Sequence, residues 1–301
     1  MKHIFVINPA AGNKNSATAL SEKLNTISGI DKTVHVSTAP KEIVSYVRDY
    51  CENHPGEEMR FYACGGDGTL NEVLNGMIGY GNASLTSYPC GTGNDYVKYY
   101  GGADRFLDIA ALVHARDEKV DVMRVNDIMC SINVVDFGFD YIVADNIMRI
   151  KRKPLRGGKV AYAQGVLIGF MSNIVNKGKI TVDGEVINPD GKLLLCTVAN
   201  GTYVGSMFKC APRSINNDGL MEVSMIKPIS RRKMLGMIPK YIKGEHLSDP
   251  ACQDLVEYRR ARKITVEADE PIGMSLDGEG IQAEKFEIEN LQKAVKFAVP
   301  V

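Results

Sequence analysis

Short apolar runs alternate with amphipathic segments over the first third of the chain. Residues 3–7 (His-Ile-Phe-Val-Ile) form a run typical of a buried strand, and from about Ser16 apolar residues recur at helical spacing. The same alternation continues with further predicted strands at 33–36, 60–64 and 84–88, and with helices at 41–52 and after Thr69. Strands that alternate with helices are the signature of a parallel α/β sheet.

The pattern changes from Lys119 onward, where strand-like segments follow one another with few helices between them. Strands are predicted at 120–125, 129–137, 179–182, 193–198, 220–226, 263–268 and 296–299, and helices only near 159–171 and 231–242. We therefore expect an α/β protein with two domains: a three-layer α/β domain with a parallel sheet over 1–123, and an antiparallel β-sandwich-like domain over 124–301. Whether the C-terminal segment rejoins the first domain stays open.

Composition and charge limit which partners and which cellular compartment we expect for this protein. The 301 residues suit two domains, and Lys+Arg and Asp+Glu each total 36, so no overall charge attracts nucleic acid. No apolar run approaches the roughly 18 residues that cross a bilayer. Seven cysteines without a Cys-x-x-Cys pair indicate reduced thiols in the cytoplasm. We expect a cytoplasmic protein without a nucleic-acid partner, and a homodimer stays open.

A glycine-rich turn follows the third predicted strand. Residues 65–68 read Gly-Gly-Asp-Gly, and Thr69 with Glu72 fits a capping box, which predicts that the next helix begins just after Thr69. A helix start offers free N–H groups to phosphate, and open α/β sheets bind ligands at the carboxyl ends of their strands. A bare tight turn stays the alternative for this motif taken alone.

Two further polar, glycine-bearing loops follow predicted strands, at 8–12 and 91–95. Because the ends of parallel strands share one edge of a sheet, the three loops should converge and hold nucleotide phosphates. Asp67 is unexpected in a phosphate site, because a carboxylate repels phosphate. Its presence is explained if Mg²⁺ bridges it to the phosphates, or if it accepts a hydrogen bond from ribose or from a substrate hydroxyl. Neither the P-loop pattern nor G-x-G-x-x-G is present.

Four motifs in this order, namely Asn8-Pro9…Gly12, residues 65–73, residues 91–95 and Asp277-Gly-Glu279, resemble the soluble diacylglycerol/lipid kinase family. That family also includes sphingosine and ceramide kinases, and the resemblance covers nearly the whole chain. Gly-Gly-Asp-Gly-Thr alone is shared with NAD kinases and, more loosely, with phosphofructokinases. The Gly-Thr-Gly-Asn-Asp and Asp-Gly-Glu motifs favour a lipid kinase.

The resemblance implies an NAD kinase/phosphofructokinase-like first domain and an ATP site in the cleft between the domains. Glu279 would be the general base, and Asp67 would contact metal or hydroxyl. Carried over by motif, the ATP contacts would be Asn8, Pro9, Ala10, Ala11, Gly12, Thr38, Gly66, Asp67, Gly68, Thr69, Leu70, Asn71, Glu72 and Thr92.

The same resemblance implies a magnesium site of the Asp218 carboxylate with the main-chain carbonyls of Ile215 and Leu220. Some relatives carry two successive carboxylates before the glycine, whereas here Asn217 stands first. Without the resemblance, Asp218-Gly219 is a β-turn before a strand and Glu279 a solvated turn glutamate. A basic residue often follows the first-loop glycine in relatives; here Asn13 comes first, and Lys14, one position later, is the candidate for phosphate contact.

Two basic clusters interrupt the balanced charge, 149–156 with Lys159 and 231–233, and the basic segment 259–263 is a candidate to join them. Each is either a solvated face balanced by acidic groups or a docking surface for an anionic bilayer. The apolar stretch 160–171 could line an acyl-chain pocket or form a buried core helix.

These observations predict an ATP- and Mg²⁺-dependent kinase that phosphorylates a lipid hydroxyl, with peripheral membrane association. Diacylglycerol, converted to phosphatidate, is the first candidate substrate, and phosphatidylglycerol, a sphingoid base and an isoprenoid alcohol stay open. A general base would assist the attacking hydroxyl by about 10²–10⁴-fold. The alternatives are an NAD kinase-like enzyme with a soluble substrate and a non-catalytic nucleotide-binding module.

Overall fold

The structure, a computed structural model, describes residues 1–12, 16–151, 168 and 175–301. The chain forms two compact units. Unit 1 contains Met1–Val122 and Leu291–Val301, and unit 2 contains Met123–Asn290. Within the described residues, no helix combines the length and apolar character that crossing a membrane requires.

Unit 1 is built on a parallel sheet. Its strands are β1 (Lys2–Ile7), β2 (Lys32–Val36), β3 (Met59–Gly65) and β4 (Ala83–Pro89), in the order β2-β1-β3-β4. The end of the last strand, β16 (Glu279–Val299), pairs parallel with β4 through Lys296 and Phe297, so the C-terminal segment completes this sheet. The helices are α1 (Ser16–Asn25), α2 (Glu42–Asn53), α3 (Asp67–Met77) and the short α4 (Ile109–Val113).

The central strands of unit 1 are apolar because both of their faces are covered. Every residue of β3 is buried, and Ile4, Phe5 and Val6 of β1 have no exposed surface. Helices α2 and α3 pack so closely that a Cβ at Gly76 would lie 2.6 Å from the Cβ of Val47. The predicted parallel α/β architecture of this region is confirmed.

Unit 2 is rich in antiparallel strands. They are β5 (Arg116–Val125, shared with unit 1), β6 (Met129–Ser131), β7 (Val134–Gly138), β8 (Asn176–Lys177), β9 (Lys179–Val182), β10 (Glu185–Val186), β11 (Lys192–Leu193), β12 (Leu195–Ala199), β13 (Met221–Ile226), β14 (Val256–Ala261), β15 (Lys263–Leu276) and the first part of β16. The principal order is β14-β13-β12-β7-β15-β16. The first half of β15 pairs with β9 and its second half with β7. The pairing of β15 with β16 shifts its register between Glu267 and Ile272.

Two apolar clusters stabilise unit 2. One contains the residues of β7, β12, β13 and β15 that share a face, including Phe137, Val198 and Val223. The other lies on the opposite face and includes residues of α5 (Phe139–Lys151) and α6 (Arg231–Lys243). Helix α6 is capped at its start by Ser230, whose Oγ accepts from the Lys233 N–H, and at its end by Gly244 in the left-handed conformation.

Unit 2 differs from the sequence prediction in its details. Strands β15 and β16 extend well beyond the predicted 263–268 and 296–299, and α5 and β14 were not predicted. The predicted strand 129–137 is two strands, interrupted at Ile132 and Asn133. The helix predicted near 159–171 lies outside the described residues apart from Ile168, and so does the residue Lys14.

Candidate functional site

The loop after β1 is joined to the first turn of α3. Asn8 Nδ2 donates to Thr69 Oγ1 at 3.0 Å, and the Asn8 N–H donates to the Cys64 carbonyl at 3.0 Å. Asn8 Oδ1 in turn accepts from the Ala10 N–H at 2.9 Å. The asparagine that ends the first strand therefore fixes the loop over 8–12 against the strand and helix beside it.

Helix α3 begins at Asp67 with Gly66 as its N-cap, so the predicted start after Thr69 is wrong. Thr69 does not cap the helix because its hydroxyl is engaged by Asn8 and its side chain covers Gly65. A Cβ at Gly65 would lie 2.2 Å from Thr69 Oγ1, which leaves glycine as the residue that fits. The N–H groups of the first turn, which a helix cannot satisfy internally, therefore start at residue 67.

The loops after β3 and β4 lie against each other. The N–H groups of Cys90 and Gly91 donate to the Gly65 carbonyl at 2.8 and 3.2 Å. A Cβ at Gly91 would lie 2.6 Å from the Cα of Gly66, so the two backbones are in direct contact. Glycine at both positions permits this approach.

Asp67 fastens the same two loops from the helix side. Its Oδ1 accepts from the Asp95 N–H at 2.6 Å and from the Tyr96 N–H at 3.4 Å. The loop itself is closed by Asn94, which adopts a positive φ of 48° and whose Nδ2 donates to the Gly91 carbonyl at 2.8 Å. A carboxylate at the first position of a helix also interacts favourably with the helix dipole.

Thr38 follows β2, the strand next to β1. Its N–H donates to Glu42 Oε2 at 2.7 Å, and the Ser37 N–H donates to the Ile7 carbonyl at 2.9 Å, which places this loop beside the end of β1. The Thr38 backbone N–H is the main cause that lowers the pKa of Glu42, and His35, 2.9 Å away, acts in the same direction.

An open groove of about 500 Å³ lies beside these loops. Thr92, which is exposed, lines it together with Gly12, Lys23, Tyr88, Cys90 and Gly91. Cys90 is half-buried, and burial raises the pKa of its thiol. The loops over 8–12, 65–69 and 90–95 thus meet at one edge of the sheet, where parallel α/β sheets bind ligands.

The residues carried over as ATP contacts differ in their exposure. Asn8, Gly12, Gly66, Asp67 and Thr92 belong to the converging loops described above. Leu70 and Asn71, by contrast, are 2% and 3% exposed, so they pack inside unit 1. Their side chains contribute to holding the helix in place.

In unit 2, Glu279 begins β16 directly after a two-residue hairpin turn. Asp277 and Gly278 have φ angles of 46° and 96°, as a tight hairpin with two positive φ values requires, and Leu276 pairs with Glu279. Glu279 is half-buried. That it acts opposite the loops of unit 1 stays a prediction.

Asp277 anchors this hairpin tip, a role that the sequence analysis missed. Its Oδ1 accepts from Ser131 Oγ at 2.7 Å, the Val134 N–H at 3.0 Å and the Asn133 N–H at 3.2 Å, while Oδ2 accepts from the Ile132 N–H at 3.1 Å. The Asp-Gly pair between two apolar segments is the sequence signal that could have identified the turn.

The predicted magnesium ligands surround a turn in unit 2. Asp218 Oδ1 accepts from the Leu220 N–H at 3.1 Å, and Oδ2 forms an ion pair with Arg260. Among the described residues, no group of three or more Asp, Glu, His or Cys side chains is arranged to hold a metal ion. Since a guanidinium already binds the one carboxylate of the expected ligand set, these residues do not fit Mg²⁺.

The basic clusters differ in their surroundings. Most of the cluster at 149–156 and the apolar stretch 160–171, except Ile168, lie outside the described residues. Residues 231–233 form the exposed first turn of α6. In the cluster at 259–263, Arg259 pairs with Glu257, Arg260 with Asp218 and Lys263 with Glu287. The last cluster is therefore balanced by acidic groups.

Comparisons with known proteins identify two domains in this chain. The diacylglycerol kinase catalytic domain matches residues 2–125, and the YegS C-terminal NAD kinase beta sandwich-like domain matches residues 133–298. The predicted pairing of a parallel α/β domain with a β-sandwich-like domain is confirmed.

Relatives and solved structures cover nearly the whole chain. A protein of Alcanivorax borkumensis named probable lipid kinase YegS-like is 26% identical over 274 residues, covering 90% of this chain and 88% of the relative. The diacylglycerol kinase of Bacillus subtilis is 25% identical over 301 residues, covering 98% and 95%. The crystal structure of a diacylglycerol kinase from Bacillus anthracis has a TM-score of 0.70 at 19% identity, covering 99% and 96%, and supports the fold.

Proposed function

The chain belongs to the family of lipid kinases that combine a diacylglycerol kinase catalytic domain with a YegS C-terminal domain, and from this premise we propose its reaction. It transfers the γ-phosphoryl group of ATP to the hydroxyl of a lipid, with diacylglycerol as substrate and phosphatidate as product. The observation that carries this proposal is the locking of three loops around the first turn of α3, through Asn8–Thr69, Gly66–Gly91 and Asp67–Asp95.

ATP is proposed to bind along these loops. The first-turn N–H groups of α3 carry partial positive charge and suit phosphate oxygens. The glycines at 65, 66 and 91 keep side chains away from the backbone, so a phosphate can approach main-chain N–H groups closely. Mg²⁺ that accompanies the nucleotide would offset the charge of the phosphates.

Glu279 is proposed to accept the proton of the attacking lipid hydroxyl. The support is its place in the Asp-Gly-Glu motif and the rigidity of the turn before it, since Asp277 binds four donors of the segment Ser131–Val134. A carboxylate that is held in one position loses little freedom in the transition state.

A membrane surface is proposed as the place where the lipid is met. Helix α6 begins with three exposed basic residues, Arg231, Arg232 and Lys233, and contains no acidic residue. Leu235, on the same helix, is 57% exposed. A basic helix face with an exposed leucine suits an anionic bilayer, where each Lys or Arg near the surface contributes about 1 kcal/mol.

The reaction is tested with γ-labelled ATP and a panel of acceptors: diacylglycerol, phosphatidylglycerol, a sphingoid base, an isoprenoid alcohol and NAD. We expect label in diacylglycerol, and a fall of about 10²–10⁴-fold for Glu279→Gln. Glu284→Gln is the matched control, because Glu284 is an exposed glutamate five positions along the same strand. Label in NAD alone, or in no acceptor, would refute the lipid kinase proposal.

Membrane docking is tested by co-sedimentation with vesicles of phosphatidylcholine containing phosphatidylglycerol. Replacing residues 231–233 by Gln should weaken binding by about 10²-fold. The control replaces Lys179, Lys263 and Lys285 by Gln, which removes the same charge from lysines that already pair with Glu267 or Glu287. Equal losses in both variants would show that overall charge, and no particular face, decides binding.

A further inference from the structure

The turn before β13 is closed by the side chain that was expected to bind metal. Gly219 has a φ of 84°, and Asp218 Oδ1 accepts from the Leu220 N–H two residues ahead. This local bond is the ordinary way in which an aspartate stabilises a turn. The second carboxylate oxygen, Oδ2, binds the guanidinium of Arg260.

The backbone of Arg260 is held in place by the strand pairing. It lies directly opposite Glu222 in the antiparallel pair of β13 and β14. Its Nε donates to Glu222 Oε1 at 2.9 Å, while its Nη2 reaches Asp218. One planar guanidinium thus bridges two carboxylates, a geometry that arginine offers and lysine does not.

Glu222 explains why a cation is required at this place. The residue is only 2% exposed, and its second oxygen accepts from the hydroxyl of Tyr258, which pairs with Ser224 two residues along the ladder. A buried carboxylate without a cationic partner is strongly destabilising. Arg260 supplies that charge at every accessible pH, because its guanidinium does not deprotonate in proteins.

Mg²⁺ would compete poorly with Arg260 for the Asp218 carboxylate. Mg²⁺ requires near-octahedral oxygen coordination and is bound mainly through carboxylates. Here residue 217 is an asparagine, whose amide carries no charge, and Asp218 would have to release Arg260. Releasing it would also remove one of the two anions that hold the guanidinium beside Glu222.

We infer that Arg260 replaces a divalent cation at this turn: its guanidinium links Asp218 to Glu222, and the Asp218 turn does not bind Mg²⁺. The inference concerns unit 2 alone and holds whether or not lipid kinase activity is found. Only its consequence rests on the proposed function, namely that the Mg²⁺ requirement of the reaction comes from the nucleotide and from no ion at this turn.

The first experiment measures metal binding without nucleotide. In this experiment Mn²⁺ is titrated into the wild-type chain and into Asp218→Asn, and the free ion is measured by its paramagnetic resonance. We expect the two proteins to bind the same amount of Mn²⁺. The melting temperature should be equal in EDTA and in about 10 mM MgCl₂, whereas a site with a Kd of about 0.1 mM would raise it by several degrees. A stoichiometric Mn²⁺ site that disappears in Asp218→Asn would overturn the inference.

The second experiment tests the bridging role of Arg260. Arg260→Gln should lower the melting temperature by about 5 °C or more, because Glu222 loses its cation. The control Arg259→Gln should change it by about 1 °C at most, since the pair of Arg259 with Glu257 is at the surface. An unchanged melting temperature in Arg260→Gln would refute the bridge.

A double variant keeps the test decisive if Arg260→Gln does not fold. Glu222→Gln/Arg260→Gln removes the buried carboxylate together with its partner, and we expect it to fold and to be more stable than Arg260→Gln alone. If the double variant is no more stable than a foldable Arg260→Gln, or if neither folds, the coupling between Arg260 and Glu222 is not what stabilises this turn. Neither readout depends on phosphoryl transfer, so failure here is distinct from failure of the proposed function.

Discussion

Each unit uses one aspartate to hold a loop that contains proposed functional residues, but the two aspartates bind in different surroundings. Asp67 in unit 1 binds the N–H groups of two consecutive residues, Asp95 and Tyr96. Asp277 in unit 2 is 9% exposed and binds three N–H groups and a hydroxyl from the segment Ser131–Val134.

The difference follows from the topology of each unit. In unit 1 the strands β3 and β4 are neighbours, and their loops would lie close together without Asp67. In unit 2 the segment Ser131–Val134 and the hairpin tip are over 140 residues apart in sequence, and the Asp277 carboxylate is the group that satisfies their buried N–H groups. We therefore expect Asp277 to matter for folding and Asp67 chiefly for the site.

The largest expected effect is that of Asp277→Asn. An amide offers one acceptor oxygen in place of two and directs its own N–H groups at other donors, so buried main-chain N–H groups lose their partner. We expect a loss of about 3 kcal/mol in the free energy of unfolding, measured by urea denaturation. Because Glu279 follows this turn, phosphoryl transfer should also fall by about 10²-fold.

Asp183→Asn is the control for this substitution. Asp183 also adopts a positive φ and accepts from the N–H groups of Arg262 and Lys263, but at an exposed turn. It should cost less stability and leave the transfer rate unchanged. If Asp183→Asn lowered the transfer rate as much as Asp277→Asn, the hairpin tip would have no special role.

Gly91→Ala tests whether close backbone packing forms the candidate ATP site. The added Cβ would lie 2.6 Å from the Gly66 Cα, so the loops after β3 and β4 must separate. We expect kcat/KM for ATP to fall by about 10²-fold, as for a misplacement of about 1 Å. Gly81→Ala is matched, since a Cβ there meets nothing within 4 Å, and wild-type kinetics in Gly91→Ala would contradict the proposed ATP site.

Asp67→Asn distinguishes two roles of Asp67 in unit 1: holding the loop at Asp95 by a hydrogen bond, and contacting metal or hydroxyl in the reaction. The amide oxygen can still accept from Asp95, so the free energy of unfolding should fall by only about 1 kcal/mol. Turnover should fall by about tenfold or more if the carboxylate contacts metal or hydroxyl in the reaction. Asp108→Asn is the control, because Asp108 also accepts two main-chain N–H groups, at the start of α4. Wild-type turnover in Asp67→Asn would limit Asp67 to fastening loops.

The sequence predicted the features of unit 1 that depend on local pattern. Buried strands followed by polar or glycine-bearing loops, at Asn8, at Gly65-Gly66 and at Cys90-Gly91, mark β1, β3 and β4 and the edge of the sheet where their loops meet. The start of α3 was misplaced because the spacing of Thr69 and Glu72 fits a capping box, and this spacing is the same when both residues lie inside the helix. The bond that decides it comes from Asn8, 61 positions earlier.

The features of unit 2 that escaped prediction are also long-range. The segment Ala268–Pro271 interrupts the alternation, so β15 was predicted to end there, although the strand continues through an irregularity to Leu276. The pairing of Arg260 with Asp218 spans 42 positions and could not be anticipated from the composition of either segment. Charge patterns in sequence give the number of cations but not their partners.

The smallest effect concerns a thiol at the edge of the candidate ATP site. Cys90 is half-buried and lines the groove beside Thr92, whereas the other six cysteines are buried. Iodoacetamide should therefore modify Cys90 first. Because burial raises the pKa of this thiol, its thiolate fraction at neutral pH is low, and the alkylation rate should still rise above pH 9, where a free thiol levels off.

ATP should slow this alkylation if the groove belongs to the nucleotide site, and mass spectrometry of the modified peptide measures the rate. Gly91→Ala should lose the protection, since its loops are displaced, while Gly81→Ala should keep it. Equal alkylation rates with and without saturating ATP would show that the nucleotide does not bind in this groove. The loops of unit 1 would then be a structural contact with no demonstrated ligand, and the contrast between the two aspartates would concern folding alone.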